Sequence, residues 1–174
     1  MRIFLVGPRG SGKSTVGKAL AKYLSWKFVD TDLYLQEHLS DTIKNIVSSK
    51  GWNYFREQET LVLKEIIKNF SSSVVIATGG GIILSETNRK IMNQNGKVAY
   101  LSVNANILAK RLQINPEEEM RPALTDLALQ EEIEQILQER IPLYEQCSDI
   151  IIDASETIDE NVRSITTFLV GKIL

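Results

Sequence analysis

Ile3-Phe4-Leu5-Val6 runs straight into Gly7-Pro8-Arg9-Gly10-Ser11-Gly12-Lys13-Ser14, and Val16, Ala19, Leu20 and Tyr23 then recur at helical spacing. A strand, a G-x-x-x-x-G-K-[ST] loop and a helix, in that order, are the context in which this pattern describes a phosphate loop. Glycines 7, 10 and 12 let backbone N–H groups curl around anionic oxygens, and the helix behind them adds its free amides and the positive end of its dipole. Lys13 is placed to reach β and γ phosphates as a point charge, and the Ser14 hydroxyl to hold a magnesium ion. Gly10, Ser11, Gly12, Lys13, Ser14 and Thr15 are therefore the nucleotide-contact candidates. The plainer reading, a glycine-rich turn between strand and helix, is set aside on the completeness of the pattern and its flanks. The chain reads as a binder of ATP or GTP.

Size and composition narrow the rest. A length of 174 residues suits one domain with a sizeable core, and 43% hydrophobic with 24% charged residues excludes a disordered or fibrous class. Lys and Arg total 20 against 22 Asp and Glu, a formal charge of -2, which speaks against nucleic acid as a partner. The single Cys147 cannot form an internal disulfide, and with one histidine there is no Cys/His cluster for zinc. The apolar start is too short for a signal peptide and enters the phosphate loop, and no stretch approaches the length of a membrane span. A cytoplasmic protein without membrane contact is the expectation.

Along the chain, Phe28-Val29 reads as a second strand ending in Asp30-Thr31-Asp32, whose two carboxylates lie at i and i+2 and so share a side of an extended backbone. One can serve a metal through water and the other a substrate hydroxyl, and the competing reading is an Asp cap for the helix beginning near Leu33. His38, on the short helix from Leu33 to Leu39, reads as structural or exposed. Ser40-Asp41-Thr42 caps another helix, Gly51 breaks it, and a long helix follows from Trp52 with Arg56 and Glu59 three apart. Two readings stand for that pair: a surface ion pair of little energy, or a planar guanidinium fork for a carboxylate ligand with Glu59 fixing its orientation.

Val74-Val75-Ile76-Ala77 is the β-branched run of a strand covered on both faces, and it ends in Thr78-Gly79-Gly80-Gly81, where a ligand can lie against bare backbone amides. Ser85 caps a helix over Asn88 to Met92, Val98 to Val103 is the next strand, and a helix from Asn104 or Ala105 carries Arg111 near its end. From about 114 to 126 the pattern fails in a polar, proline-marked stretch containing Arg121-Pro122, which reads as a lid bringing positive charge to a transferring phosphoryl group, or else as an acidic solvated loop. A charged helix runs from Leu129 to Leu143, carrying the anion-contact candidate Arg140, and Pro142 should kink or end it. Ile150-Ile151-Ile152 is a last strand running into Asp153-Ala154-Ser155-Glu156-Thr157, and a final helix covers about Ile158 to Val170. Five strand and helix alternations predict an α/β three-layer sandwich of the P-loop type, a five-stranded parallel sheet with helices on both faces and ligands at one rim. The whole chain, 1–174, is one such domain, with a substrate-binding helical segment at about 33–61.

Taken together, Gly7-Pro8-Arg9-Gly10-Ser11-Gly12-Lys13-Ser14, Phe28-Val29-Asp30-Thr31-Asp32, Phe55-Arg56 with Glu59, Ala77-Thr78-Gly79-Gly80-Gly81, Arg121-Pro122-Ala123-Leu124 and Arg140-Ile141-Pro142-Leu143-Tyr144 closely resemble shikimate kinase over essentially the entire chain. The Gly7-Pro8-Arg9-Gly10 variant looks like the second isozyme type of enteric bacteria. The resemblance implies a nucleoside-monophosphate-kinase-like fold with a lid and transfer of the ATP γ-phosphoryl group to the 3-hydroxyl of shikimate, with Mg2+, in aromatic amino acid synthesis. It implies that Asp32 binds substrate hydroxyls and is placed to accept the proton, that Arg56 and Arg140 hold the shikimate carboxylate, and that Gly79, Gly80 and Gly81 line that pocket. It further implies that Asp30 joins Ser14 in the magnesium shell, that Arg121 closes on the phosphates beside Lys13, and that Arg111 stacks on adenine with the loop of Asp153 and Ser155 on the other side. A monomer is expected on the same ground. Competing readings are another small phosphate-loop kinase such as gluconate kinase, and a nucleotide-binding regulatory protein without catalysis.

Overall fold

The computed structural model describes residues 1–114 and 129–171. Along β1 (Arg2–Val6), Ile3 and Leu5 face one layer of helices and Phe4 and Val6 the other, all four buried. The same two-residue alternation continues in β3 (Val74–Ala77) and β4 (Lys97–Ser102), so the sheet is apolar on both faces, as a parallel sheet must be. With β2 (Lys27–Asp30) and β5 (Ile150–Asp153) at the edges, the order is β2-β3-β1-β4-β5 and every pairing is parallel. The strand carrying the phosphate loop is thus the central one. This is the predicted sandwich.

On one face lie α1 (Lys13–Leu24), α5 (Ala105–Ile114) and α7 (Ile158–Val170). The other carries α2 (Thr31–Leu39), α3 (Ile43–Asn69) and α4 (Glu86–Asn95). α6 (Leu129–Cys147) serves both, packing Ile133 and Leu137 into the first core and Tyr144 and Cys147 into the second. Gly51 interrupts α3 as expected, with φ 81° and ψ 169°. Pro142 does not end α6: burial of Tyr144 and Cys147 beyond it outweighs the one hydrogen bond proline removes, and the helix runs four residues further than expected, to Cys147 instead of Leu143. Gly17 holds α1 against β2, where an added Cβ would stand 2.6 Å from the Phe28 ring.

The far end of the sheet is tied by one side chain. Arg2 donates to the Ile67, Phe70 and Asn95 carbonyls at 2.9, 2.8 and 3.1 Å, so a single guanidinium satisfies the C-terminal ends of α3 and α4. Among the described residues no helix is long and apolar enough to cross a membrane.

Candidate functional site

At the carboxyl rim of the sheet the phosphate loop adopts the path its glycines permit, with φ of 76° at Gly10 and 92° at Gly12. Asp30, Thr42, Ser85 and Thr157 cap their helices with side-chain oxygens, whereas α1 has Gly12 at its cap position and no side-chain acceptor on its first amides. Gly12 and the first residues of α1 line the cleft, as at an anion-binding helix N-terminus. Lys13 is buried and folds back over the loop, donating to the Gly7 and Pro8 carbonyls at 2.9 and 2.7 Å. The cleft in front of them has a volume of about 710 Å³, with Gly10 to Thr15, Asp30, Asp32, Arg111 and Ala154 along its wall.

Of the tasks that the sequence left in competition, Asp30 performs the cap, and it also meets Ser14. Its Oδ1 accepts from the Asp32 and Leu33 N–H groups at 3.0 and 3.3 Å, capping α2, while Oδ2 accepts from the Ser14 hydroxyl at 2.6 Å. The strand ends at Asp30, so Asp32 stands in the first turn of α2, not beside Asp30 on an extended strand. Helix geometry carries Asp32 across the rim to the glycine segment after β3. A Cβ at Gly79 would lie 2.7 Å from Asp32 Oδ1 and 2.8 Å from Glu59 Oε1, so any larger residue there would have to displace these carboxylates. The Gly79 N–H is held by the Thr31 hydroxyl at 3.0 Å.

The Arg56 and Glu59 pair is no surface ion pair. Glu59 is 2% exposed, accepts from Arg56 Nη1 at 2.8 Å, and leaves Arg56 at 25% exposure. The Arg56 guanidinium lies over Phe55 and Trp52, 5.1 and 5.4 Å from the ring centroids, and against Gly81, where a Cβ would stand 2.5 Å from its Cζ. Glutamate, two rings and bare backbone thus hold the fork flat. Arg140 reaches the same place from α6: its Nη1 is 3.5 Å from the Gly80 carbonyl, and its buried Nε has no acceptor among the described residues. A smaller cavity of about 100 Å³ includes Trp52, Arg56, Gly80, Gly81 and Arg140 in its lining. Two guanidinium groups facing one partly apolar cavity offer the donors with which a carboxylate could pair.

Arg111 donates to the Ala154 carbonyl at 2.7 Å and approaches the Gly10 and Ser11 carbonyls at 3.4 Å, so it bridges the phosphate loop to the loop after β5. In that loop Asp153 and Ser155 bond to each other, through the serine N–H at 2.9 Å and its hydroxyl at 2.5 Å. These bonds hold the Asp153 carboxyl below its usual range. The neighbours that line the cleft are Ala154, Glu156, Ile158 and Asn161. Arg121 and nearly all of the expected lid lie outside the described residues.

Several residues at this rim were not singled out from sequence. Gln36, Thr42 and Ile43 line the large cleft, and Trp52 backs Arg56. Trp52 sits four residues before Arg56, so helical spacing was the available signal. Ile158 carried one too, as an apolar residue at the start of a helix after a polar loop, and it is 43% exposed.

Known proteins resemble the chain in sequence and in fold. The profile of the family described as shikimate kinase matches residues 9–170. A shikimate kinase 2 of Escherichia coli O1:K1 is 47% identical over 171 residues, covering 98% of this chain and 97% of its own. Among solved structures, shikimate kinase from Acinetobacter baumannii in complex with shikimate superposes with a TM-score of 0.89 at 32% identity, covering 99% of this chain and 94% of that one. The shikimate kinase of Bacteroides thetaiotaomicron does so with a TM-score of 0.88 at 35% identity, over 97% and 98%. The chain therefore belongs to the shikimate kinase family and is an ATP-dependent kinase that phosphorylates shikimate.

Proposed function

We propose that the γ-phosphoryl group of ATP passes to the 3-hydroxyl of shikimate between two halves of one rim, with nucleotide on the phosphate loop and shikimate on the glycine segment after β3. The observation that carries this reading is the place of that segment: Gly79 borders Asp32, Gly81 borders Arg56, and a Cβ on Gly80 would stand 3.2 Å from the Arg9 amide of the phosphate loop. A carboxylate acceptor held there stands one loop's width from a bound triphosphate.

In this reading Arg56 and Arg140 clamp the shikimate carboxylate, and Asp32 accepts the hydrogen of the attacking hydroxyl, orienting its oxygen toward phosphorus. The new O–P bond forms as the bond from γ-phosphorus to the ADP oxygen breaks, and the hydroxyl proton leaves to Asp32. Lys13, the phosphate-loop amides and Arg121 stabilise charge on the phosphoryl oxygens. Arg111 contacts adenine, with the loop of Asp153 and Ser155 across from it. The Ser14 hydroxyl and Asp30 carboxylate, adjoining hard oxygens at the cleft, fit the one or two protein contacts through which Mg2+ is held, directly or through water. When bound, the ion supplies positive charge to the β and γ phosphates.

The use of ATP and the single buried Cys147 support a cytoplasmic setting. A coupled ADP-release assay with Mg2+ and ATP, with shikimate or gluconate as acceptor, tests the reading, and 31P–1H coupling in the product identifies the phosphorylated hydroxyl. Release with shikimate alone and coupling to the proton on carbon 3 is the expected result. Equal release with gluconate, or coupling elsewhere on the ring, overturns it.

A further inference from the structure

The Gly79–Gly81 segment has no side chains with which to set its own orientation, so its neighbours must set it. Thr31 holds the Gly79 N–H, and the Ile82 N–H closes a turn onto the Gly79 carbonyl at 3.2 Å. The Gly80 carbonyl is held by Tyr144, whose hydroxyl donates to it at 2.5 Å from α6. Tyr144 is fully buried, and its ring stacks on Tyr100 with centroids 4.9 Å apart and planes 15° apart. Burial pushes its hydroxyl well above the usual tyrosine range, so it stays a donor throughout ordinary assay conditions.

Tyr144 follows Arg140 by four residues, on the same face of α6, and both address one atom, the Gly80 carbonyl oxygen. A peptide unit is planar and trans, so fixing that oxygen toward α6 points the Gly81 N–H away from α6. Among the described residues neither the Gly80 nor the Gly81 N–H has an acceptor.

We propose that Tyr144 is a positioning residue for phosphoryl transfer: its hydroxyl locks the Gly80–Gly81 peptide between Arg140 and the phosphate loop, and so sets where the acceptor lies relative to the nucleotide. The inference rests on the reading of Arg140 and the glycine segment as the acceptor pocket. A hydroxyl that merely satisfied a buried carbonyl would affect melting and leave the kinetic constants alone.

Tyr144→Phe keeps the ring and its stack and removes only the donor. The expected result is a shikimate KM raised about fivefold and a kcat lowered by a similar factor, the scale of one lost hydrogen bond, with ADP affinity within about twofold of the parent. Tyr100→Phe, which also deletes one hydroxyl from the stack, should leave both constants unchanged. A Tyr144→Phe protein with a lower melting temperature and parental constants overturns the proposal, as does an equal kinetic effect from Tyr100→Phe. Arg140→Lys separates the two layers of argument. If it leaves the shikimate KM unchanged, the pocket assignment fails; if it raises KM and Tyr144→Phe does not, only the role of Tyr144 fails. Should Tyr144→Phe not fold, NMR of the unsubstituted protein decides. A slowly exchanging Tyr144 hydroxyl proton beside the glycine segment, present both free and with shikimate, supports the lock, and its loss on binding shikimate overturns it.

Discussion

The two halves of the rim are made of different material. Around the phosphate loop the groups proposed to face the nucleotide are backbone amides, short hydroxyls and Lys13, contiguous in the chain and shaped by three glycines of positive φ. Across from it the proposed groups are the side chains of Asp32, Arg56 and Arg140, drawn from three helices, and the two arginines are each braced by something else. Arg56 leans on Glu59, Phe55 and Trp52, while Arg140 leans on a carbonyl. Main chain carries its shape in its own dihedrals. A side-chain receptor owes its shape to second neighbours, and small changes among those neighbours should reach it.

The sharpest challenge to this contrast is Asp32→Asn, which keeps the size of the side chain and removes its basicity. We expect kcat to fall by roughly 10²-fold or more, the scale of general base catalysis, with ATP binding intact; a turnover near that of the parent would remove Asp32 from the proton path. Next is Gly81→Ala. Its Cβ meets the far end of a flexible side chain, so the protein should fold while the Arg56 guanidinium is displaced, and kcat/KM for shikimate should drop by roughly 10²-fold. Parental kinetics in this variant would show that the acceptor half tolerates movement of its braces. Arg56→Lys should raise the shikimate KM by about tenfold through loss of the planar fork, with the ATP KM unchanged; a matching rise for ATP would erase the division between the halves.

The smallest effect belongs to the nucleotide half. Thr157 and Glu160 cap α7 reciprocally, the threonine hydroxyl donating to Glu160 at 2.6 Å while its oxygen accepts the Glu160 N–H at 3.3 Å. Thr157→Ala should cost about 1 kcal/mol of stability in denaturant melts and change neither kcat nor KM by more than about twofold. The Thr157 hydroxyl bond holds the Glu160 carboxyl below the ordinary glutamate range. Its stabilisation is therefore present above that range and lost as pH falls through the lower folded value, so the deficit of the variant should be largest near neutrality and shrink in acid.

The same division explains what could be read from the chain before it was folded. The phosphate loop is a run of consecutive residues, so its sequence and its geometry are the same object. Strands β1, β3 and β4 were equally plain, since a doubly covered strand is an unbroken apolar run. Arg56 was undecided because its meaning depends on Gly81 and Trp52 meeting it, and spacing along one helix does not report what faces it. Asp32 was expected on a strand end because the periodicity of two continues through Asp30-Thr31-Asp32, whereas Asp30 caps α2 and starts the helix earlier. Pro142 misled in the opposite way, since a local breaker was outweighed by two buried side chains beyond it.

The strand order β2-β3-β1-β4-β5 has a consequence for synthesis on the ribosome. β1 leaves before either strand that will flank it, and its partners are 72 to 94 residues away, from Arg2 against Val74 to Val6 against Tyr100. Until both arrive, Ile3-Phe4-Leu5-Val6 is an apolar ribbon with two open edges, the kind of segment that pairs with whatever strand is nearest. The strand that leads into the phosphate loop thus waits for both β3 and β4 before it is covered, and a chaperone that shields nascent chains should meet this protein at β1.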